Sequence, residues 1–367
     1  MTYNPLFAHL KKLDWMLIGS IIVLMIFSCL SLYSYSLREA NFLTFQKQIA
    51  FFFIGIFLMI GMSFIDWRIF KSHPYLLLVL YFICLALLAG LLMIGKTTRG
   101  IQGWYHLGLV SFNPIELTKI VLILLLAKYF SLRNTEMYNF KHVLISGIYI
   151  LLPCILIFMQ PDFGSILIIL LIWMGMLFVS GIKARHFLIL CLAGVLCFSV
   201  LWGVLKNYQR ERILTFVNPQ VDNLSSGWNQ QQTKISIGSG GWTGKGFGNG
   251  TQVKLMFLPE PHTDFIFSAI AEESGFLGVI ILLGAILVFT WRIVLIAMAA
   301  PDNFSRLFAT GLAIALFVQC FVNIAMNLSL LPIVGLPLPL VSYGGGSLIF
   351  TFLALGILQS IRLNEAI

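Results

Sequence analysis

Charged side chains are scarce in this sequence. They make up 10% of its 367 residues, whereas 59% are hydrophobic and the mean hydropathy is +0.95. Soluble globular domains carry roughly 25% charged residues. The composition therefore excludes a soluble domain and predicts an integral membrane protein. An open sheet cannot span lipid, because its edge backbone groups would find no hydrogen-bond partners there. We therefore predict an all-α fold.

Metal-ligand and disulfide spacings are also absent. The six cysteines all lie inside apolar runs, which favours packing roles. The histidines are scattered without ligand spacing, so we predict no histidine metal site. The net charge of +9 comes without a basic and aromatic surface. It therefore favours contact with anionic lipid headgroups and gives no support for nucleic-acid binding.

The apolar runs predict ten transmembrane helices, since each span needs about 20 apolar residues. Residues 15–35 are too long for a signal-peptide core and are predicted to be the first permanent span. The chain is predicted to form a single polytopic membrane domain, 1–367, with a large extracytoplasmic loop, 206–263, between helices 7 and 8. The predicted spans are 15–35, 46–65, 74–94, 114–130, 142–159, 163–181, 186–205, 264–291, 305–330 and 343–361.

Lysine and arginine are distributed unequally between the two sets of short flanks, twelve against four. By the positive-inside rule, the richer side is cytoplasmic, and so are both termini. The outer side has no ATP, so a reaction there needs a substrate that carries its own activation. The richer flanks hold Lys11, Lys12, Arg68, Lys71, Lys128, Arg133, Lys141, Lys183, Arg185, Arg292, Arg306 and Arg362; the poorer ones hold Arg38, Lys47, Lys96 and Arg99.

The stretch from Phe257 to Gly278 places Asp264 at the outer end of span eight. Its carboxylate either caps the helix or is the working group of an enzyme at the membrane surface. Small residues lie in line beneath Asp264, which indicates either close helix packing or a groove for a lipid tail. These residues are Ser268, Ala271, Gly275 and Gly278; Glu272 and Glu273 point away from the line and are predicted to be structural partners.

Two further outer-face segments carry ionisable groups. Asn113 and Pro114 are suited to the start of span four, where Glu116 either completes a capping box or pairs with Lys119 one turn deeper. Such a pair would place a cation beneath a phosphate. Asp162 follows Gln160-Pro161 and is either the cap of the next helix or a second outer-face carboxylate.

The run Gly238–Gly250 contains seven glycines around Lys245. It lacks the Walker A spacing. It is either a flexible surface loop or a set of backbone N–H groups that bind a phosphate. Arg210 and Arg212, with Lys96 and Arg99, are either solvated charges or partners for an anionic headgroup such as a lipid pyrophosphate. The proline- and glycine-rich segment 331–347 predicts an irregular apolar loop packed against the bundle.

Five segments in order resemble the SEDS proteins (shape, elongation, division and sporulation) over essentially the whole chain. They are NPIELTK, QPDFGS, YQRERI, HTDFIFSAIAEESG and LPLPLVSYGGGS. The stretch GKGFGNGTQ resembles the rod-shape, elongation branch more than the division branch. The resemblance implies ten spans and a peptidoglycan glycosyltransferase that polymerises lipid II, with inversion and an undecaprenyl-pyrophosphate leaving group. A divalent cation (Mg²⁺ or Mn²⁺) is a further candidate for stabilising that group.

The resemblance also implies site residues and partners. It places the catalytic aspartate, which we expect to act as general base, at Asp264. Its partner would be a class B penicillin-binding protein, contacting spans eight and nine. One departure is Gly103, which stands before Trp104 where the family commonly has arginine. A lipid II flippase and a scaffold are alternative functions. The predicted substrate-binding residues are Glu116, Lys119, Gln160, Asp162, Arg210, Arg212 and Lys245.

Overall fold

The computed structural model is a helical bundle with one short hairpin. It describes residues 5–95, 103–107, 110–133, 139–201, 203, 207–218, 226–255, 257–258 and 260–365. The elements are α1 Pro5–Lys12, α2 Trp15–Glu39, α3 Leu43–Ser63, α4 Arg68–Ser72, α5 Pro74–Ile94, β1 Tyr105–Leu107, β2 Val110–Phe112, α6 Pro114–Leu132, α7 Phe140–Met159, α8 Phe163–Val179, α9 Ala184–Leu201, α10 Asn207–Val217, α11 Ser226–Ser239, α12 Thr251–Lys254, α13 Ile266–Ala299, α14 Asn303–Asn327 and α15 Gly345–Glu365.

Of the described helices, seven are long and apolar enough to cross a membrane: α2, α3, α5, α7, α13, α14 and α15. Two shorter apolar helices lie in α8 and α9. The prediction of a helical, multi-pass membrane protein is confirmed. The count of ten spans stays a prediction, because α6, α8 and α9 are not among these seven.

Several helices begin at residues whose side chains satisfy the exposed first-turn N–H groups. Asn113 accepts from the Ile115 N–H at 2.9 Å and Pro114 follows, as predicted. Asp162 accepts from the Ser165 N–H at 3.0 Å, which confirms the capping alternative for that carboxylate. Asp302 forms a capping box with Ser305 at the start of α14.

The core is centred on α6 and α14. Residues 121–127 of α6 are all buried, so this helix is surrounded by others rather than lying at the lipid boundary. The burial explains why α6 has almost no amphipathic pattern. Helix α13 packs against α2 and α14, and α3 packs against α15.

The described connections differ from the predicted loops in two places. Strands β1 and β2 pair antiparallel, with Tyr105 opposite Phe112, where no strand was predicted. The Tyr105 hydroxyl donates to the Leu87 carbonyl at 2.7 Å and anchors this hairpin to α5. The predicted loop 206–263 contains α10, α11 and α12. By contrast, the irregular segment predicted over 331–347 is confirmed for residues 331–344, which have no helix or strand and bury the apolar residues Leu338 and Val341. Residues 345–347 differ, because they begin α15.

Candidate active site

The helix that follows Asp264 is interrupted at Gly275. The φ and ψ of this residue, 66° and −166°, lie outside the helical region. A break leaves N–H and C=O groups without partners along the helix, which is costly in an apolar environment. On the far side of the break, the Phe276 N–H donates to the Gly241 carbonyl at 2.9 Å and the Leu277 N–H to the Trp242 carbonyl at 3.1 Å.

The same glycine-rich run satisfies the near side of the break. The Lys245 N–H donates to the Glu272 carbonyl at 3.0 Å, and the Gly246 N–H donates to the Glu273 carbonyl at 2.9 Å. A Cβ on Gly244 would lie 2.1 Å from the Glu273 oxygen, so only glycine permits this approach. The N–H donors of Lys245 and Gly246 are therefore used inside the fold, where they replace helical hydrogen bonds. Residues 241–243 of the run are exposed, as expected for a surface loop. Phosphate binding by the run stays a prediction.

The side chain of Glu272 binds the run as well. It is fully buried, and its carboxylate lies 2.7 Å from the Lys245 ammonium. The Thr251 hydroxyl donates to it at 2.9 Å and the Gln252 N–H at 3.0 Å. A buried carboxylate needs such compensation. The prediction that Glu272 is a structural partner agrees with these contacts, and Lys245 is its counter-ion.

Glu273 joins the run to a second helix. Its Oε1 accepts from the Ser34 hydroxyl of α2 and from the Gly248 N–H, the latter at 3.2 Å. The Ser34 hydroxyl in turn accepts from the Gly248 N–H at 2.9 Å. Three separate segments, α2, α13 and the glycine-rich run, are therefore fixed to one another at this point.

The stripe of small residues beneath Asp264 is closely packed. Ser268 and Ala271 are buried, and a Cβ on Gly240 would lie 2.1 Å from the Ala271 carbonyl oxygen. A Cβ on Gly275 would lie 2.2 Å from the Gly244 nitrogen. The interpretation as a lipid-tail groove is therefore wrong, and close packing explains the small side chains.

Asp264 lies in a turn that precedes α13. The helix has Phe265 at its N-cap and no capping side chain, so the cap alternative for Asp264 is wrong. Glu260 starts this turn with a φ of 45°, and its carbonyl accepts from the Thr263 N–H at 3.2 Å. Residues other than glycine rarely adopt such a φ, and where they do they cluster at functional sites.

The Asp264 turn lines a cavity of about 400 Å³ at one end of the bundle. The cavity walls come from the start of α3, the β1–β2 hairpin, α10, the Asp264 turn, the segment 331–344 and the first residue of α15. This volume is in the range of small-molecule sites. The lining residues are Lys47, Phe51, Trp104, His106, Ser111, Arg212, Glu260, His262, Thr263, Asp264, Gly335, Pro337, Tyr343, Gly344 and Gly345.

Both signs of charge meet in this cavity. Asp264 and Glu260 supply carboxylates, and Lys47 and Arg212 supply cations. Glu260 Oε2 lies 3.7 Å from His262 Nε2. Arg212 also donates to the Ile333 carbonyl at 3.3 Å, which connects α10 to the segment 331–344.

Aromatic rings support the same wall. The rings of His262 and Tyr35 stack with centroids 4.5 Å apart, and the Tyr343 N–H donates to the His262 carbonyl at 2.9 Å. Burial raises the pKa of Tyr343 above its ordinary value, so its hydroxyl stays protonated at neutral pH.

Of the eight predicted site residues, Asp264 and Arg212 line the cavity. Four others have the following contacts. Glu116 pairs with Lys119 at 2.9 Å, which is the second of its two predicted alternatives. Gln160 is buried and donates to the Leu88 carbonyl at 2.8 Å, and Arg210 donates to the Gly203 carbonyl at 2.7 Å.

Lys245 pairs with Glu272, as described above. Asp162 binds the Ser165 N–H and hydroxyl. Burial raises its pKa, and these hydrogen bonds and the charge of Lys119 oppose that rise. Lys96 and Arg99 lie outside the described residues. The described Gly103 is buried beside Trp104 of the cavity wall.

Sequence reasoning missed Lys47 and Tyr343 and gave no role to Glu260 or His262, all of which line the cavity. The sequence indicates only that Lys47 flanks a span. Lys47 and Asp264 lie far apart in the chain, so the sequence does not show that they line one cavity. A further missed feature is the polar side chains at every fourth position of α14, Gln319, Asn323 and Asn327. Their spacing is a visible signal, since such residues share one helix face.

Metal binding is not supported by the described residues. Within them, no group of three or more histidine, cysteine, aspartate or glutamate side chains is arranged to hold an ion. The carboxylates of Asp264 and Glu260 therefore do not form a recognisable metal site with the described side chains.

Solved structures resemble the whole fold. A chain of a peptidoglycan synthase complex, studied for its coordination of polymerization and crosslinking, is 32% identical with a TM-score of 0.82, covering 96% of this chain and 98% of that one. The rod shape determining protein RodA of Thermus thermophilus is 29% identical with a TM-score of 0.71, covering 96% and 97%.

Relatives that are similar in sequence agree with these structural similarities. The peptidoglycan glycosyltransferase MrdB of Escherichia coli K12 is 37% identical over 370 residues, covering 100% of this chain and 98% of the relative. A probable peptidoglycan glycosyltransferase FtsW of Saccharophagus degradans is 33% identical over 379 residues, covering 99% and 97%. A family model described as a cell cycle protein of the FtsW, RodA and SpoVE type matches residues 8–366. The chain therefore belongs to the FtsW/RodA/SpoVE family of cell cycle proteins.

Proposed function

We propose that this protein is a peptidoglycan glycosyltransferase that polymerises lipid II into β-1,4 glycan strands for cell elongation and rod shape. The observation that carries the proposal is the cavity in which Asp264 shares a space of about 400 Å³ with Arg212 and Lys47. A carboxylate and two cations suit a reaction that removes a proton from one sugar and releases a pyrophosphate from another. The names of the full-length relatives support the same activity.

In the proposed reaction, Asp264 acts as general base. It takes the proton of the 4-hydroxyl of the acceptor sugar as that oxygen attacks the anomeric carbon of the lipid-linked donor. The bond from the anomeric carbon to the undecaprenyl pyrophosphate breaks, and the carbon is inverted. The sugar–pyrophosphate bond supplies the free energy, so no nucleotide is consumed.

Arg212 and Lys47 are proposed to stabilise the negative charge that develops on the departing pyrophosphate. A guanidinium offers paired donors to phosphate oxygens, and an ammonium offers a compact charge. Cations already held at the site of developing charge act without reorganisation, and this effect is commonly the largest in such enzymes. For Glu116, Lys119, Gln160, Asp162, Arg210 and Lys245, direct substrate contact stays a prediction.

The proposed topology has ten spans, both termini in the cytoplasm and the loop 206–263 outside the cytoplasmic membrane. The cavity is formed by connections that all lie on the predicted outer side, such as the α2–α3 turn beside Lys47 and the turn before α13. The opposite end carries Lys71 paired with Asp302 and Arg292 paired with Asp14. Cysteine accessibility to a membrane-impermeant thiol reagent at substituted positions in both ends tests this orientation.

The proposed partner is a class B penicillin-binding protein, which would crosslink the strands that this chain makes. The support is the similarity to a chain of a peptidoglycan synthase complex in which polymerization and crosslinking are coordinated. Co-purification from cells that express both proteins, followed by crosslinking, tests the association.

The activity is tested with purified full-length protein and lipid II, with and without a chelator and the partner. Asp264→Asn keeps the shape of the side chain and removes the base, so polymerisation is expected to fall by about 10²–10⁴-fold. Asp66→Asn, an exposed carboxylate at the opposite end, is the matched control and should keep normal activity. Normal polymerisation by Asp264→Asn would contradict the assignment.

The cations are tested in the same assay. Arg212→Met is expected to lower the rate by about 10-fold or more, since one charge-stabilising contact commonly contributes that much. Arg306→Met removes an exposed arginine far from the cavity and serves as the control. A lipid II flippase would behave differently. A flippase moves lipid II without joining sugars, so the purified chain alone would form no glycan in this assay. Polymerisation by the unsubstituted chain and its loss in Asp264→Asn and Arg212→Met therefore separate the two functions.

A further inference from the structure

A row of buried amide side chains lies behind the Asp264 turn. Gln319, Asn323 and Asn327 share one face of α14 and are 4%, 0% and 0% exposed. A buried amide inside an apolar bundle is costly unless its donors and acceptors are used. The contacts of this row, which we name the amide ladder, therefore show what it is for.

The ladder holds the backbone of Asp264. Asn323 Nδ2 and Asn327 Nδ2 each donate to the Asp264 carbonyl at 3.0 Å. Asn327 Oδ1 accepts from the Ser268 N–H at 3.2 Å and from the Ser268 hydroxyl at 2.6 Å. Asp264, which precedes the N-cap residue, and the first turn of the helix are thus fixed from the same side by α14.

The two residues before Asp264 are held in the same way by the segment 331–344. The Ser342 hydroxyl donates to the Thr263 carbonyl at 2.6 Å, and the Tyr343 N–H donates to the His262 carbonyl at 2.9 Å. Three consecutive carbonyls of the turn therefore accept hydrogen bonds from other parts of the chain. These hydrogen bonds are concentrated at the residue proposed to take the proton and at the two residues before it.

The ladder also fixes the segment 331–344 and reaches the ion pair of α6. Asn323 Nδ2 donates to the Leu336 carbonyl at 2.7 Å, and Gln319 Nε2 donates to the Pro337 carbonyl at 3.1 Å. Gln319 Oε1 accepts from the Lys119 ammonium at 2.9 Å. Lys119 is itself 7% exposed and paired with Glu116. Through Gln319 and the adjacent carbonyls of Pro337 and Leu336, polar contacts connect that pair to Asn323, which binds the Asp264 backbone.

We propose that Asn323, Asn327 and Ser342 are positioning residues that hold Asp264 in its reactive geometry. The ion pair Glu116–Lys119 supports them through Gln319. The inference rests on the proposed role of Asp264 as general base. Misplacement of a reacting group by about 1 Å costs about 100-fold in rate, so a loosened turn should lower kcat while the cavity still binds lipid II.

The test compares steady-state polymerisation by Asn327→Leu, Asn323→Leu and Ser342→Ala in the full chain across a range of lipid II concentrations. We expect kcat to fall by about 100-fold for each asparagine variant and by about 10-fold for Ser342→Ala, with KM changed less than threefold. Asn327→Ser keeps a small polar side chain and keeps the variant testable if the leucine variant fails to fold. The kcat of Asn327→Ser is expected to lie between that of Asn327→Leu and that of the unsubstituted protein.

Gln359→Leu is the matched control. This buried amide accepts from the Asp14 N–H at 3.0 Å, far from the cavity, so the variant removes a buried hydrogen bond without touching Asp264. It should leave kcat within threefold, and its melting temperature is measured beside those of the ladder variants. Equal kcat for the ladder variants and Gln359→Leu would overturn the inference, and so would a change confined to KM. Asp264→Asn, measured in parallel, separates the two proposals. If it is inactive while the ladder variants resemble the control, only the ladder inference fails.

Discussion

The two parts of α13 on either side of Gly275 are held in place by different forces. Residues 266–273 are all buried, and they include Ser268, Glu272 and Glu273, each bound by hydrogen bonds to another segment. Residues 276–299 have one side chain of this kind among the described contacts, Arg292, which pairs with Asp14 near their C-terminal end. One face exposes large apolar side chains such as Trp291.

The difference shows how one helix serves two purposes. Hydrogen bonds are directional, so they fix the rotation of the first part about its axis as well as its depth in the bundle. Dispersion packing and lipid contact tolerate rotation and small shifts, so most of the second part, apart from the Arg292–Asp14 pair, needs only a suitable apolar surface. The break at Gly275 allows the first part, which carries Asp264 at its start, to be oriented independently of the second.

Substitution at the break is expected to have the largest effect. Gly275→Ala places a Cβ 2.2 Å from the Gly244 nitrogen and forces alanine to adopt a φ of 66°. The strain and the displaced loop should lower the free energy of unfolding by about 3 kcal/mol or more. Thermal unfolding of the detergent-solubilised protein measures this.

Gly284→Ala is the matched control in the second part of α13, where an added Cβ meets nothing within 4 Å. Alanine is the better helix former, so this variant should be neutral or more stable by up to about 1 kcal/mol. Equal destabilisation by the two substitutions would contradict the distinction between the two parts.

Removal of the buried charge beneath the break is expected to have the next largest effect. Glu272→Gln leaves the Lys245 ammonium without its carboxylate and weakens the contacts from Thr251 and Gln252. A lost hydrogen bond to a buried charged group costs about 2 kcal/mol, so a fall of that size in unfolding free energy is expected.

Asp66→Asn makes the same chemical change in an exposed pair, where Asp66 lies 3.8 Å from Arg68. Exposed pairs contribute between about 0 and 1 kcal/mol. The comparison of the two variants therefore isolates burial as the cause of the larger fall in unfolding free energy. If Glu272→Gln unfolded no more readily than Asp66→Asn, the carboxylate would not be holding the glycine-rich run.

The sequence alone predicts the parts of the fold that depend on local pattern. The apolar runs predict the helices well, and Asn113 and Asp162 are recognisable caps because capping depends on three or four adjacent residues. The contacts at the site are of another kind. Asn323 binds Asp264, 59 positions away, and Lys47 meets Arg212 in one cavity only after α3 and α10 are brought together.

The glycine-rich run illustrates the limit most clearly. Its composition predicts backbone donors held close to a partner, and for Lys245 and Gly246 that partner is the broken backbone of α13. A break at Gly275 has no local signal beyond one glycine in an apolar helix. Only the packed structure shows that Gly244 must approach Glu273, so the partner of the run could not be inferred from spacing.

The smallest effect is expected on the exposed face of the second part of α13. Trp291 is 61% exposed, so Trp291→Leu should change the unfolding free energy by less than about 0.5 kcal/mol and leave polymerisation by the isolated chain unchanged. A fall as large as that of Glu272→Gln would show that this part is also held by specific contacts.

The resemblance to the SEDS proteins implies that the partner transpeptidase contacts this helix and α14. If so, Trp291→Leu should reduce the stimulation of polymerisation by the partner although the isolated chain is unaffected, because a large exposed aromatic side chain is a typical anchor of a protein interface. Unchanged stimulation would assign this face to lipid contact instead.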